Sequence, residues 1–291
     1  MQQRTNVGMK ACGLRGICNL NLIVDYWGLT YLPQQISQPP IVNNQVLITN
    51  PPTPPNLYIR PEIACRFQNG QLIFRVFLII VYDQNKNMKQ YQHIIANTKG
   101  FMAIEEGQGL FKYAQKAAHL GPGLEIGSYC GKSTLYLGAG FHLNKQILFT
   151  IDHHRGSEEQ QPGEEYFDSE LFDNRIGKID TLRFLRSTLE QAHLEDTVVP
   201  IVSRSETVAR AWTIPLSLLF IDGSHTFESA ETDYQCWTPH IMAGGFLLIH
   251  DIFPDPEKGG QAPFHIYQKA VASGFFQEIE MIETLGILRR E

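Results

Sequence analysis

No run of lysine or arginine occurs in this chain, no CxxC pair, and no apolar stretch of membrane-spanning length. Each absence removes a class of function. With no basic run and a formal net charge of −6, a nucleic-acid backbone is not an expected partner. The five cysteines, Cys12, Cys18, Cys65, Cys130 and Cys236, are odd in number and scattered. That pattern argues against a disulfide framework or a cysteine zinc site, and fits a reducing, cytoplasmic setting. The most apolar run, "LIFRVFLIIVY" from Leu72 to Tyr82, is too short for a membrane span and carries Arg75. The first ten residues lack an apolar stretch after their basic residues, so neither a signal peptide nor a membrane partner is expected. What the 291 residues do have is 43 % hydrophobic and 19 % charged side chains. That composition suits a globular protein with one large α/β domain and an appendage, or with two smaller domains.

The chain divides near residue 100. Residues 33–61 are crowded with proline, which breaks helices and favours an extended connector. Short apolar pieces surround it, of which 71–82 reads as one strand or a hairpin arm. Residues 1–99 are therefore expected to be a proline-rich extension rather than an independent domain. One expectation is a natural start at Met88 or Met102, with the upstream residues coming from an over-extended reading frame. From residue 100 to 291 strands alternate with helices. Helix 103–119 is followed by strand 123–127, helix 131–142, strand 147–152, helix 180–192 and strand 198–203. Then come helix 205–211, strand 216–222, helix 227–240, strand 245–251 and helix 263–273. Such alternation implies βαβ units and a parallel sheet covered on both faces. The last two strands, 275–282 and 285–290, are joined too tightly for a crossover, so one of them must run antiparallel.

The decisive stretch is Leu124–Thr134, "LEIGSYCGKST". A P-loop needs four residues between its first glycine and Gly-Lys-Ser/Thr, whereas only Ser128, Tyr129 and Cys130 separate Gly127 from Gly131. The loop also lacks the GxGxxG spacing of a dinucleotide site, and Glu125 suits a positively charged ligand better than a phosphate.

Four motifs in order, "LEIGSYCGKST", "FTIDHHRGSEEQQPG", "LLFIDGSH" and "GGFLLIHD", each close a predicted strand. With them, residues 100–291 resemble a class I S-adenosylmethionine-dependent methyltransferase of the small-molecule O-methyltransferase branch, which holds the catechol and macrocin types. The resemblance implies a Rossmann-like α/β fold: a seven-stranded, mostly parallel sheet with an antiparallel last strand and helices on both faces. It also implies S-adenosylmethionine as cofactor and a small-molecule acceptor such as a sugar, polyol or phenol; a homodimer is the expected assembly because homo-oligomers are common.

On this reading Gly127 and Gly131 let the backbone approach the cofactor, flanked by Ser128, Tyr129, Lys132 and Ser133. Glu125 accepts from the cofactor's ammonium, and Asp152, followed by His153, takes the ribose hydroxyls. Ser203, Arg204 and Ser205 stand where the family touches adenine. The long connection after Asp152, with His154, Arg155, Glu158 and Glu159, is polar enough to meet a substrate. The chemistry is expected at Asp222, His225 and His250, with Asp222 and Asp251 matching ligands for a divalent ion, Mg²⁺, and His225 matching the base of macrocin-type enzymes. The catechol-type pattern has Asn after the second Asp; here Ile252 stands there, which leaves the third ligand open. The loop after Asp251, with Asp255, Pro256, Gly259, Gly260 and His265, is expected to recognise the acceptor. Two other readings are a P-loop-like nucleotide-binding enzyme and a cofactor-binding module without turnover.

Overall fold

The computed structural model describes the backbone of residues 5–13, 16–25, 28–30, 57–68 and 71–82, and both backbone and side chains of 88–291. By its contacts the chain divides into Met1–Asn87 and Met88–Glu291.

In the first unit β1 (Thr5–Gly13), β2 (Gly16–Asp25) and β3 (Gly28–Thr30) form an antiparallel sheet. Val7, Met9 and Ala11 alternating with Gly8 and Lys10 are the local signal for β1. The expected strand at 71–82 is β5 (Gln71–Tyr82), an arm paired antiparallel with β4 (Leu57–Gln68). Residues 57–61, expected in the proline-rich connector, therefore open β4. Most of that connector lies outside the described residues.

The second unit begins at Met88 rather than at residue 100, because Met88 and Tyr91 are buried in its core. Its helices are α1 (Gln92–Asn97), α2 (Ile104–Ala117), α3 (Lys132–His142), α4 (Leu182–Ala192), α5 (Ser205–Ala209), α6 (Phe227–Trp237) and α7 (Ala262–Ala272). Its strands are β6 (Gly123–Ile126), β7 (Leu148–Asp152), β8 (Phe172–Asp173), β9 (Lys178–Ile179), β10 (Val198–Val202), β11 (Leu216–Ile221), β12 (Ile241–Ile249), β13 (Phe276–Ile282) and β14 (Leu285–Arg290). Helix α6 stops short of the expected residue 240: a 3-10 turn at Thr238–His240 holds Pro239, which has no N–H to continue the helical ladder.

Seven strands make one sheet in the order β10-β7-β6-β11-β12-β14-β13. From β10 to β12 they run parallel, and β14 is antiparallel to both its neighbours. Both faces are covered, so β11 is apolar almost throughout yet still obeys the two-residue period of a strand. Leu218 and Phe220 enter the core shared with α2 and α3, while Leu219 and Ile221 enter the core shared with α6 and α7. The chain leaves β6 toward β7 and β10, then returns to lay β11 on its other side. The carboxyl ends of β6 and β11 thus meet at the switch point where open α/β sheets bind ligands. No helix among the described residues is long and apolar enough to cross a membrane.

Candidate active site

At that switch point lies a cavity of about 760 Å³. Its first wall is the turn after β6. Gly127 has φ +92°, and a Cβ built on it would lie 2.0 Å from the backbone oxygen of Asp222. Gly131, at φ +97°, caps α3, and its Cβ would lie 2.9 Å from Leu185 of α4. Both glycines are required where chain approaches chain, and of the two only Gly127 also lines the cavity.

Glu125 is a second correction. It is fully buried and outside the cavity wall. Its carboxylate accepts from Ser133 Oγ at 2.6 Å, Thr134 Oγ1 at 2.6 Å and Thr150 Oγ1 at 2.7 Å. Burial pushes its pKa up to about 7, against the pull of the three hydroxyls, and the charge of Asp222 adds to the rise. Glu125 therefore pins the start of α3 to β6 and β7, and does not meet an ammonium ion in this geometry.

Ser128, Tyr129, Lys132 and Ser133 all line the cavity. The Ser128 hydroxyl is buried without a partner, which is unusual for a polar atom unless a ligand completes it. Tyr129, at φ +47°, turns its N–H onto Asp152 Oδ2 at 2.9 Å, while His154 N donates to Oδ1 at 2.6 Å. Each oxygen of Asp152 keeps further acceptor capacity beside the cavity. Lys132 donates to the carbonyl of Gly100 at 3.1 Å, and burial lowers its pKa. That bond takes one of its three donors and leaves the others beside the cavity. His153 lines the cavity, but His154 does not; it is buried, with its ring 2.7 Å from Thr181 Oγ1, and burial lowers its pKa.

Ser203, Arg204 and Ser205 line the far end. Ser205 donates to Asp233, a buried carboxyl on α6 whose pKa burial pushes up to about 6 despite that bond. The long connection after β7 carries the β8–β9 hairpin and folds over the cavity. Ser224 donates to Glu158 at 3.0 Å, Phe101 and Tyr166 meet edge to face at 5.4 Å, and Lys99 pairs with Asp168 and Glu170. After Asp251 the chain packs beside the same edge, where a Cβ on Gly260 would lie 3.7 Å from His225 Cβ.

Asp222, His225, His250 and Asp251 converge where β11 and β12 end. Nε2 of His225 lies 3.1 Å from Asp251 Oδ2, and its Nδ1 lies 3.5 Å from Glu159 Oε2. The bond to Asp251 raises the His225 pKa above its usual value, opposed by burial and assisted by the charges of Asp251, Asp222 and Glu159. His250 is buried, with Nδ1 3.0 Å from Asp222 Oδ1 and 3.5 Å from Asp251 Oδ2, and Nε2 3.0 Å from Glu106 Oε2. Burial disfavours its charge, but Asp222, Asp251 and Glu106 outweigh burial and raise its pKa strongly. With carboxylates facing both ring nitrogens, His250 is not placed as the free base that the sequence allowed. Asp251 is correspondingly held well below the usual carboxylate range, its two histidine partners outweighing burial.

The sequence gives no sign of Glu106 as a site residue. It sits in the first turn of α2, buried, and accepts from Thr284 N at 2.9 Å and Thr284 Oγ1 at 2.7 Å besides His250. Burial alone would raise its pKa, but His250 and the Thr284 donors outweigh burial and lower it to about 2. Asp233 carries no signal either, apart from being a lone acid on the inner face of α6.

A mostly parallel sheet with one reversed strand, bearing its cavity at the carboxyl edge between β6 and β11, is the Rossmann-like fold of the class I methyltransferases. Residues 124–252 match the protein family described as "Methyltransferase domain", so the chain contains a segment of that family. Among solved structures it is similar to the O-methyltransferase NovP, with 15 % identity and TM-score 0.52 over 67 % of this chain and 83 % of that one. It is also similar to an SAH-bound methyltransferase from Podospora anserina, with 14 % identity and TM-score 0.49 over 72 % of this chain and 89 % of that one. A third is the SAM-bound O-methyltransferase TomG from Streptomyces achromogenes, with 14 % identity and TM-score 0.46 over 71 % and 88 %.

Proposed function

We propose that the chain methylates a hydroxyl oxygen of a small molecule such as a sugar, polyol or phenol. The observation that carries this is the His225–Asp251 pair, 3.1 Å apart at the mouth of the cofactor cavity. A hydroxyl is a poor nucleophile until its proton leaves, and a histidine backed by a carboxylate is a proton acceptor built for that step. Bound S-adenosylmethionine supplies an electrophilic methyl group on a sulfonium. The buried, unpartnered Ser128 hydroxyl and the spare acceptor capacity of Asp152 fit that cofactor. Asp152 would hold the ribose hydroxyls, Ser128 with Tyr129 and Lys132 the methionine part, and Ser203, Ser205 and Asp233 the adenine.

A divalent ion belongs to the same reading. Ligand atoms of Asp222, His250 and Asp251 all lie within 4.8 Å of one another, and the carboxylates that hold a proton on His250 suit an ion in its place. When bound, the ion lowers the pKa of an acceptor hydroxyl. His225 then removes the proton, Asp251 steadies the imidazolium that forms, and the connection bearing Glu158 and Glu159 limits access of water.

The test is incubation with methyl-tritiated S-adenosylmethionine, Mn²⁺ and a panel of sugars, polyols and phenols. Label on an acceptor oxygen is expected, falling roughly 10²–10⁴-fold in His225→Ala. Label found only on nitrogen, or undiminished in His225→Ala, would overturn the oxygen-directed reading.

A further inference from the structure

We infer that the acceptor is a two-part molecule: one part brings its hydroxyl to His225, and the other is a flat, uncharged ring that seats against Phe101, Tyr129 and Tyr166 in a side cavity. The inference rests on the hydroxyl-directed reading and adds a recognition site to it.

Three observations carry it. The first is continuity. A second cavity, of about 490 Å³, adjoins the one at the switch point, and Lys99, Gly100, Phe101, Tyr129 and Tyr166 line both. None of Asp222, His225, His250 and Asp251 lines the second. A group held there takes no part in the chemistry, yet the shared wall lets one molecule occupy both spaces. The loop after Asp251, where the sequence places acceptor recognition, lines only the first cavity, through Phe253, Lys258, Gly259 and Gly260.

The second is the wall itself. Phe101 is 65 % exposed and Tyr166 45 %, so these large rings face a cavity instead of entering a core. They meet edge to face at 5.4 Å, and the Phe101 ring stands 6.1 Å from that of Tyr129. The three rings come from three segments, each tied down nearby. Tyr129 N donates to Asp152 Oδ2 at 2.9 Å, Lys132 Nζ to the Gly100 carbonyl at 3.1 Å, and Tyr166 N to the Glu159 carbonyl at 3.1 Å. Ring faces held in this way favour another ring, because aromatic contacts contribute beyond the area they bury. An open-chain polyol offers no such face.

The third is charge. Among the described residues Lys99 is the one cation on the wall of the side cavity, and it is paired with Asp168 at 2.5 Å and Glu170 at 2.7 Å. Asp168 also accepts from Glu170 N at 2.9 Å, and Glu165 adds an exposed carboxylate at the rim. A phosphate or carboxylate entering there meets like charge and a cation already committed. An uncharged ring meets no such repulsion.

The experiment measures binding to the full chain loaded with S-adenosylhomocysteine, by saturation-transfer NMR, for paired probes with and without a remote ring. The pairs are phenyl and methyl β-D-glucopyranoside, phenyl and methyl α-L-rhamnopyranoside, and 4-phenylcatechol and catechol. The ring-bearing member is expected to bind roughly 10–100-fold tighter, and a carboxylate added to that ring should cancel the gain. Tyr166→Ala should remove most of the gain while Tyr166→Phe keeps it. Equal binding within every pair, a gain undiminished in folded Tyr166→Ala, or tighter binding of the carboxylated ring would each overturn the inference. Methyl-tritiated S-adenosylmethionine, offered with the same probes, separates this from the reading beneath it. Label passing as readily to the ringless members would overturn the side-cavity seat and leave the hydroxyl-directed reading standing. Ring-dependent binding with label on no oxygen would support the seat and count against that reading.

Discussion

His225 Nε2 and Asp251 Oδ2 stand 3.1 Å apart, on the turn after β11 and at the end of β12. The carboxylate raises the pKa of the imidazole from its ordinary 6.5. A base must be neutral to act, so turnover is expected to rise with pH through a pKa above 6.5. Proton NMR titration of the His225 ring in metal-free protein should show a midpoint displaced upward from the ordinary value. Asp251→Asn should bring that value down, because the partner charge is gone. An unshifted midpoint in both proteins would remove Asp251 as the cause.

Glu125 gives a prediction about stability. Its folded pKa of about 7 lies above its ordinary 4.5, so between those values the folded chain binds more protons than the unfolded one. Stability therefore falls as pH rises from about 4.5 to 7, by roughly 3 kcal/mol at most for a shift of this size. Glu125→Gln carries no charge to bury. Urea unfolding should show its stability relative to the natural protein improving from pH 5 to pH 8. A constant difference across that range would contradict a raised pKa.

Gly127 and Asp152 both line the cavity and should respond differently to substitution. In Gly127→Ala the added methyl meets the Asp222 carbonyl, and the residue is held at positive φ. The melting temperature should fall, by about 2 kcal/mol or more of stability, along with cofactor binding. Asp152→Asn keeps one acceptor oxygen for the loop but loses the charge-assisted bond, about 1.5–3 kcal/mol. Its affinity for S-adenosylhomocysteine should fall about 10–100-fold, with a smaller fall in melting than in Gly127→Ala, since one of the two backbone bonds to residue 152 is lost. Calorimetry and thermal melts on both variants check the contrast.

The fold was largely legible because its signals are local. Apolar strands ended at Gly, Asp or His, helix α2 stopped ahead of Gly121-Pro122-Gly123, and the short link between Ile282 and Leu285 forced a reversed strand. Asp152, Asp222 and Asp251 were legible for the same reason, each closing an apolar run. The roles of Gly127, Gly131 and Glu125 were not. What a Cβ on Gly127 meets is the backbone of Asp222, and what fills the Glu125 oxygens are hydroxyls from α3 and β7, which no spacing in the sequence reveals. Glu106 lies 144 residues before His250 in the chain, and only the packing of α2 against the sheet brings the two together. His250 read as a base because its sequence neighbours Ile249 and Asp251 say nothing of the three carboxylates around its ring.

The central claim, that this cavity holds S-adenosylmethionine and not a nucleoside triphosphate, is tested most directly by isothermal titration calorimetry of the full chain. One S-adenosylhomocysteine per chain is predicted, in the micromolar range or about −8 kcal/mol, with no heat of binding from Mg·ATP. Saturable binding of Mg·ATP, or folded protein that takes up no S-adenosylhomocysteine, would contradict it.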